Sequence, residues 1–219
     1  GAESNVAIGV KRLGFNSGWI SKLGKDPLGD YVEFFVRGEG VDVSQVKRDP
    51  EHRTGLLIKE MHTTKEPKVF YYRDNSAASH LTAADIDQEY IKKARHLHLT
   101  GITPALSQSA QQAFFKALKV ARENNLKISF DPNLRLKLWD SVKEMREVML
   151  KIIPQVNVLL PGVEEGKILL GLSEPEEIIK GFYEMMDPGS LIVLKIGAEG
   201  ALYYQGDQIE HVEPYSVDN

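Results

Sequence analysis

The chain has 219 residues, of which 42% are hydrophobic and 26% charged, with a formal net charge of −4 and no cysteine. This is ordinary globular composition, which argues against intrinsic disorder. The acidic balance argues against a general nucleic-acid binder, and no apolar run reaches the roughly 20 residues of a membrane helix. Without cysteine there is no thiolate catalysis, iron–sulfur ligation or Cys-type zinc site, and a reducing cytoplasm is suited. An anionic ligand would have to be met by local Arg, Lys or helix N-termini.

In chain order, Val6, Val10 and Leu13 share a face and predict a helix over 4–13, stopped by Gly14. Residues 19–23 read as a short strand. Asp26-Pro27 opens a second helix, an N-cap followed by Pro at the first position. Leu28, Tyr31, Val32 and Phe35 keep the helical spacing, and Gly38 and Gly40 end it. From 41 to 73 the period changes. Residues 54–61 and 68–73 read as strands joined by the polar loop 62–67. In the second of these, Tyr71 and Arg73 share one face and Phe70 and Tyr72 the other, as in a small β-rich flap.

After Thr82, strands and helices alternate. Strands are expected at 97–100, 128–130, 156–160, 191–196 and 201–204, the last two paired across Gly197–Gly200. A helix over 107–124 carries the stripe Ala110, Ala113, Phe114, Ala117, Leu118 and Ala121. Capping boxes at Ser141-x-x-Glu144 and Ser173-x-x-Glu176 open two others, the first stopped by Pro154, and 163–170 forms a further short helix. This alternation implies βαβ units and a mostly parallel sheet, which binds ligands at the carboxyl ends of its strands. The residues to inspect are therefore Thr100-Gly101, Asp131-Pro132-Asn133, Pro161-Gly162 and Lys195–Gly200.

Several of these positions have two readings. Asp131-Pro132-Asn133-Leu134-Arg135 is a polar site for a phosphoryl group or anionic substrate, or an Asx turn beside an exposed Arg. Lys195-x-Gly197-x-x-Gly200 lets a ligand approach the backbone closely, or is a hairpin with permissive glycines. Tyr71 and Arg73 suit a carboxylate, since a guanidinium binds one in bidentate fashion, or protect a strand edge by charge. His96 and His98 lie two apart on one strand and are favoured as structural histidines over a metal pair. Glu176-Glu177 suits the first turn of a helix.

Together these pieces resemble the ribokinase-like (phosphofructokinase-B type) carbohydrate kinases. The carriers are Gly1-Ala2-x-x-Asn5-x-Ala7 running to Leu13-Gly14, Leu23-Gly24-x-Asp26-x-x-Gly29 with Gly40-Val41, Asp131-Pro132-Asn133-x-Arg135, and Lys195-x-Gly197-x-x-Gly200. Within that family, Gly1-Ala2-Glu3-Ser4-Asn5, Tyr71-Tyr72-Arg73 with Ser76-Ala77-Ala78, and Phe130–Arg135 are most similar to 2-keto-3-deoxygluconate kinases. The resemblance implies an α/β core over 1–40 and 74–219, a mostly parallel sheet flanked by helices, and a β-rich lid over 41–73. It implies ATP-dependent phosphorylation of a keto sugar acid at its terminal hydroxyl, with Mg²⁺. Gly1, Asn5, Tyr71, Arg73 and Arg135 would surround the sugar acid, and Arg135 would also neutralise charge near the transferred group. Lys195, Gly197 and Gly200 would lie near the nucleotide, and Glu165 would hold Mg²⁺ through water. A homodimer through the lid, or a higher oligomer built from it, is implied, with no nucleic-acid or membrane partner and a cytoplasmic setting.

The chain departs from the family pattern at two places. Gly162 stands where Asn-x-x-Glu is common, so Glu165 keeps the acid without the amide. The Gly-Ala-Gly-Asp motif, whose Asp is the general base, would be expected shortly after Val217-Asp218-Asn219, and a first core strand before Gly1. The chain thus reads as an internal portion of a longer kinase, expected not to turn over as written. A neutral-sugar kinase, such as one for fructose, and a non-catalytic sugar- or nucleotide-binding module are the rival readings.

Overall fold

The computed structural model describes residues 1–60 and 68–215. The helices in chain order are α1 (Ala2–Arg12), α2 (Pro27–Gly38), α3 (Gln88–Lys92), α4 (Ile102–Leu106), α5 (Gln108–Glu123), α6 (Val142–Ile152), α7 (Val163–Leu170) and α8 (Pro175–Tyr183). The strands are β1 (Ser21–Gly24), β2 (Val46–Asp49), β3 (Leu56–Glu60), β4 (Lys68–Tyr72), β5 (His96–Thr100), β6 (Lys127–Asp131), β7 (Val158–Leu159), β8 (Leu191–Lys195), β9 (Ala201–Tyr204) and β10 (Ile209–Val212). The chain divides into two compact units, Gly1–Asp87 with Leu106–Lys116, and Gln88–Ala105 with Ala117–Asn219.

In the first unit, α2 starts as its sequence dictates. Pro27 occupies the first turn, and Gly29 N–H donates to Asp26 Oδ1 at 2.7 Å. The buried face differs from the apolar spacing, however. Leu28, Tyr31 and Phe35 are 45%, 65% and 49% exposed, while Gly29 and Val36 are buried. In α1, Leu13 is exposed and Ser4 and Ala7 are buried. Small residues decide the matter because only they permit close approach. Ala7, Val36 and Val41 form the local core, with Ile8, Trp19, Val32 and Val43 packed on it.

The run Gly24-x-Asp26-x-x-Gly29 is a packing and capping device. A Cβ on Gly29 would overlap the Gly24 carbonyl oxygen and lie 2.8 Å from Thr54 Oγ1. One on Gly24 would lie 2.6 Å from Thr54 N. The same threonine N–H donates to Asp26 Oδ2 at 2.8 Å, and its Oγ1 accepts Gly24 N–H at 2.9 Å. Asp26 is held below the usual carboxylate range: burial pushes it up, but the N–H groups of Thr54 and Gly29 outweigh that.

β1 and β2 pair in parallel, with Gly24 opposite Asp49. β2 lies within 41–73 and was not anticipated, because Val46-Lys47-Arg48-Asp49 carries no period-2 alternation. β3 and β4 pair antiparallel, Leu56 opposite Tyr72 and Glu60 opposite Lys68, and every residue of both strands is exposed. They are shorter than the expected 54–61 and 68–73; Met61 and the loop 62–67 lie outside the described residues.

The second unit is built on a six-stranded sheet, ordered β10-β9-β8-β7-β6-β5. β5 to β8 are parallel, and β9 and β10 add antiparallel at one edge, so the sheet is mixed with a parallel majority. The stripe expected on α5 is buried throughout, Ala110, Ala113 and Phe114 within the first unit and Ala117, Leu118 and Ala121 within the second. α6 opens with Ser141 Oγ accepting Glu144 N–H at 3.1 Å and buries Met145, Met149 and Ile152. α6 stops at Ile152, just before Pro154 as expected, and the proline sits in a following 3₁₀ turn, Ile153–Gln155.

The capping box expected at Ser173 does not form. α8 begins at Pro175 with Glu174 at the N-cap and no side-chain cap. Proline at the first position presets the helical φ, which moves the start past Ser173. α4 and β10 were not anticipated, and β7 is only two residues of the expected five. His96 Nε2 and His98 Nδ1 both bond Ser129 Oγ, at 2.7 and 2.8 Å. Among the described residues no group of three His, Cys, Asp or Glu could hold a metal, and no helix is long and apolar enough to cross a membrane.

Candidate active site

The parallel strands β6, β7 and β8 end on one side of the sheet, and the loops that follow them are tied to one another. β6 finishes at Asp131, whose Oδ1 accepts Asn133 N–H at 3.1 Å in an Asx turn. Asn133 lies at φ +40°, in the left-handed region that Asn tolerates better than most residues. Lys195 Nζ, at the end of β8, pairs with the same Asp131 Oδ1 at 3.0 Å. The Asx turn of the second reading is therefore made, with Arg135 exposed beside it, and its carboxylate also fixes a lysine.

The loop after β7 is the second tie. Gly162 is the N-cap of α7 and forms an isolated parallel bridge with Lys195, whose N–H donates to Pro161 O at 2.8 Å. Glu165, in the first turn of α7, accepts Gly162 N–H on Oε2 and Leu134 N–H on Oε1, each at 2.8 Å. Gly101, after β5, donates its N–H to Asp131 O at 2.9 Å. A Cβ there would overlap the Pro132 carbonyl oxygen and lie 2.9 Å from Met149 Cε, so the glycine is required by close packing.

A cleft of about 450 Å³ lies at these strand ends, lined by Gly162, Val163, Glu164, Pro175, Lys195, Ile196, Gly197 and Glu199. It gathers two of the expected nucleotide residues, Lys195 and Gly197. Gly197 has φ +69° and nothing within 4 Å of where a Cβ would stand, so its backbone is open to a ligand. Gly200 does not line the cleft; its φ is +96°, and a Cβ would overlap the Val212 carbonyl oxygen. Gly162, Ile196 and Glu199 fall in the strand-end runs already marked for inspection; Val163, Glu164 and Pro175 were missed as lining residues. The available signal was the strand-to-helix junction at Pro161-Gly162, which marks a ligand-facing position in a parallel sheet.

Arg135 is exposed, and its Nη1 donates to Leu134 O at 3.1 Å. The remaining expected substrate residues belong to the first unit. Gly1 and Asn5 are exposed at the start of α1, where Asn5 N–H donates to Gly1 O at 3.1 Å. Tyr71 is exposed on β4, and the Arg73 guanidinium lies over its ring, 4.3 Å from the centroid, so the two share a face as their spacing requires.

The Glu165 carboxylate is compatible with a magnesium ion met through water. Each oxygen of Glu165 accepts one amide and keeps a second lone pair, which suits a water of a hydrated ion better than direct ligation. That fits an ion carried in on nucleotide phosphates, with its own waters.

The signature of the pfkB family carbohydrate kinases matches residues 1–218. The chain is 41% identical over 219 residues to a protein of Bacillus subtilis (strain 168) named 2-dehydro-3-deoxygluconokinase, covering 100% of this chain and 67% of that one. A Thermoproteus tenax protein of the same name is 35% identical over 207 residues, 93% of this chain and 62% of that one. Fructokinase-1 of Oryza sativa subsp. japonica is 32% identical over 219 residues, 99% of this chain and 67% of that one. The chain thus spans about two thirds of the length of these relatives. Among solved structures, a PfkB protein from Polaromonas sp. JS666 superposes with a TM-score of 0.92 at 40% identity, covering 99% of this chain and 72% of that one. A putative ribokinase II from E. coli in complex with ATP and Mg²⁺ superposes at 0.89 with 30% identity, covering 100% and 68%. The fold is therefore ribokinase-like, and the chain belongs to the pfkB family of carbohydrate kinases.

Proposed function

We propose that the protein phosphorylates 2-keto-3-deoxygluconate at its terminal hydroxyl, using ATP. The observation that carries this reading is the Tyr71–Arg73 pair, an exposed phenol with the half-buried guanidinium over its ring: a guanidinium suits a carboxylate in bidentate fashion, which a neutral sugar does not need. The two relatives named for that activity support it, and the fructokinase relatives support the neutral-sugar alternative less well.

Gly1, Asn5, Tyr71, Arg73 and Arg135 bind the sugar acid. ATP enters the cleft at the ends of β7 and β8, where Lys195, held by Asp131, presents its ammonium and Gly197 leaves the backbone open. Phosphoryl transfer is mostly positioning plus charge stabilisation. Arg135 neutralises charge near the transferred group, and Glu165 faces waters of the nucleotide-borne ion. When bound, Mg²⁺ neutralises the phosphates and polarises the group transferred. No Gly-Ala-Gly-Asp occurs in these 219 residues, so none of them is assigned as the general base. Gly200 shapes the turn behind the cleft.

Residues 41–73 form the lid, and copies associate through it, as a dimer or a higher oligomer. The exposed β3 and β4 carry Leu56, Leu57, Ile58, Val69, Phe70 and Tyr72, more apolar surface than a free two-stranded sheet keeps. An ATP-consuming reaction and a cysteine-free chain suit the cytoplasm.

The test is steady-state kinetics of the full-length protein with 2-keto-3-deoxygluconate and with fructose, for wild type and Arg73→Leu. The substitution should raise KM for the keto acid by about 10- to 150-fold, the range of a lost charge-assisted contact, and leave fructose nearly unaffected. Equal losses on both substrates would refute the carboxylate assignment. Turnover of fructose alone would favour the neutral-sugar kinase, and no turnover with either the binding module.

A further inference from the structure

We propose that His80 is a positioning residue for Arg73, acting through the bond it gives Asn75 and the stack it makes on His52; this rests on the reading that Arg73 meets the substrate carboxylate. His52 lies where the chain approaches β3, and His80 where it has left β4, so the two meet across the base of the exposed hairpin. Their rings stack, with centroids 3.5 Å apart and an interplanar angle of 16°. Arg73 stands where these limbs come together. It follows β4 directly, and a Cβ on Gly55, in the entering limb, would lie 3.3 Å from Arg73 Cβ.

Each ring faces an oxygen that only accepts, which fixes where its proton sits. Asp49 Oδ2 lies 3.1 Å from His52 Nδ1, so His52 donates from Nδ1, and Asp49 Oδ1 also accepts the His52 backbone N–H at 3.0 Å. Asn75 Oδ1 lies 2.6 Å from His80 Nε2, so His80 donates from Nε2. Asn75 is the third residue of a four-residue turn, closed by Ser76 N–H donating to Arg73 O at 3.2 Å. Its φ is +53°, a left-handed conformation that costs a residue with a side chain and that the bond from His80 helps to hold. Contacts thus run from Asp49 on β2 through His52, His80 and Asn75 to the turn whose first residue is Arg73. The limb itself does not depend on the ring for attachment: Lys22 Nζ donates to His80 O at 3.1 Å, and Ala77 N–H donates to Arg53 O at 2.8 Å. What the ring adds is the setting of the turn, and with it the direction of the guanidinium.

The decisive experiment is a double-mutant cycle in the full-length protein, with His80→Ala, Arg73→Leu and both together. His80→Ala alone should raise KM for the sugar acid by about 3- to 10-fold, the range of a lost neutral hydrogen bond, with kcat within about 2-fold of wild type. In the Arg73→Leu background it should change KM by less than about 2-fold, because the group it positions is gone. Fructose, which has no carboxylate, should respond to His80→Ala by less than about 2-fold. His52→Phe keeps a ring for His80 to stack on and should stay within about 2-fold of wild type, whereas His52→Ala should reproduce the loss. A role in stability alone would instead lower kcat for both substrates. Independent, multiplicative losses, equal losses on fructose, or His52→Phe as impaired as His52→Ala would overturn the proposal.

Amide hydrogen exchange gives a readout that needs no turnover. The Ser76 N–H should exchange at least about 5-fold faster in His80→Ala, while the Thr54 N–H, bonded to Asp26 Oδ2 at 2.8 Å, should change by less than about 2-fold. An unchanged Ser76 rate would overturn the proposal. If His80→Ala does not fold, Asn75→Gly, which deletes the acceptor and tolerates the left-handed φ, takes its place in both measurements with the same expectations. Arg73→Leu by itself decides the substrate reading: equal losses on both substrates refute that reading, and the Ser76 rate then decides whether His80 holds the turn. Failure of the substrate reading and failure of the positioning are therefore distinguishable.

Discussion

Gly197 and Gly200 stand three residues apart in one turn and should respond to alanine in opposite ways. Gly197 has φ +69° and open space around a Cβ, so Gly197→Ala meets only the left-handed backbone penalty. That penalty is about 1–2 kcal/mol for an L residue. Gly200 has φ +96° and ψ −127°, further from any region a side chain tolerates. There a Cβ would overlap the carbonyl oxygen of Val212, on β10, and come within 3.1 Å of Pro214 N. Overpacking adds about 1–3 kcal/mol to the backbone penalty, for a total of about 2–5 kcal/mol. Urea denaturation followed by circular dichroism should therefore place Gly200→Ala at least about 1 kcal/mol below Gly197→Ala. ATP binding by calorimetry should show the reverse order of injury. Gly197→Ala lines the cleft and should weaken ATP about tenfold or more, since its methyl group takes ligand space. Equal destabilisation by the two substitutions, or undiminished ATP binding by Gly197→Ala, would refute this division of labour.

Other consequences are open to direct measurement. Phe70→Asp places a charge on the exposed lid sheet, and light scattering at tens of micromolar should convert oligomers to monomers; a monomeric wild type would end the lid-association proposal. Asp49 has its carboxyl lowered to about 2: burial pushes it up, but the N–H groups of Glu51 and His52 and the His52 ring outweigh that. Its contribution is complete above the ordinary value of 3.8 and is lost as pH falls through about 2. The stability gap between wild type and Asp49→Asn should therefore narrow below about pH 4 in thermal melts, and a constant gap would contradict the sign. Gly162→Asn restores the amide common in the family; its Cβ would lie 3.7 Å from Glu165 Oε2 and 4.0 Å from Lys195 O, in ordinary contact. Its thermal stability should stay within about 0.5 kcal/mol of wild type, and a large loss would show that glycine is structurally required there.

Local chemistry written along the chain determined much of this protein. α7 spans the expected 163–170 and β9 the expected 201–204, α2 starts on its Asp-Pro signal, and the α5 stripe is buried from Ala110 to Ala121. Caps, prolines and helical period act within a few residues, so a sequence displays them directly. The strand ends Asp131, Gly162 and Lys195 were legible as ligand-facing for the same reason, since alternation alone implies a parallel sheet and its carboxyl edge.

What only tertiary structure decided depends on partners distant in the chain. Val46–Asp49 is a strand because β1 lies beside it, not because of its own pattern. In α1 and α2 the periodic large residues face outward, and the buried positions include Ala7, Gly29 and Val36; at Gly29 the Gly24 carbonyl and the Thr54 hydroxyl admit no side chain. Glu165 was visible as an acid in a first turn, but its bond to Leu134 crosses 31 residues. Lys195 reaches Asp131 across 64, and no local period encodes either distance.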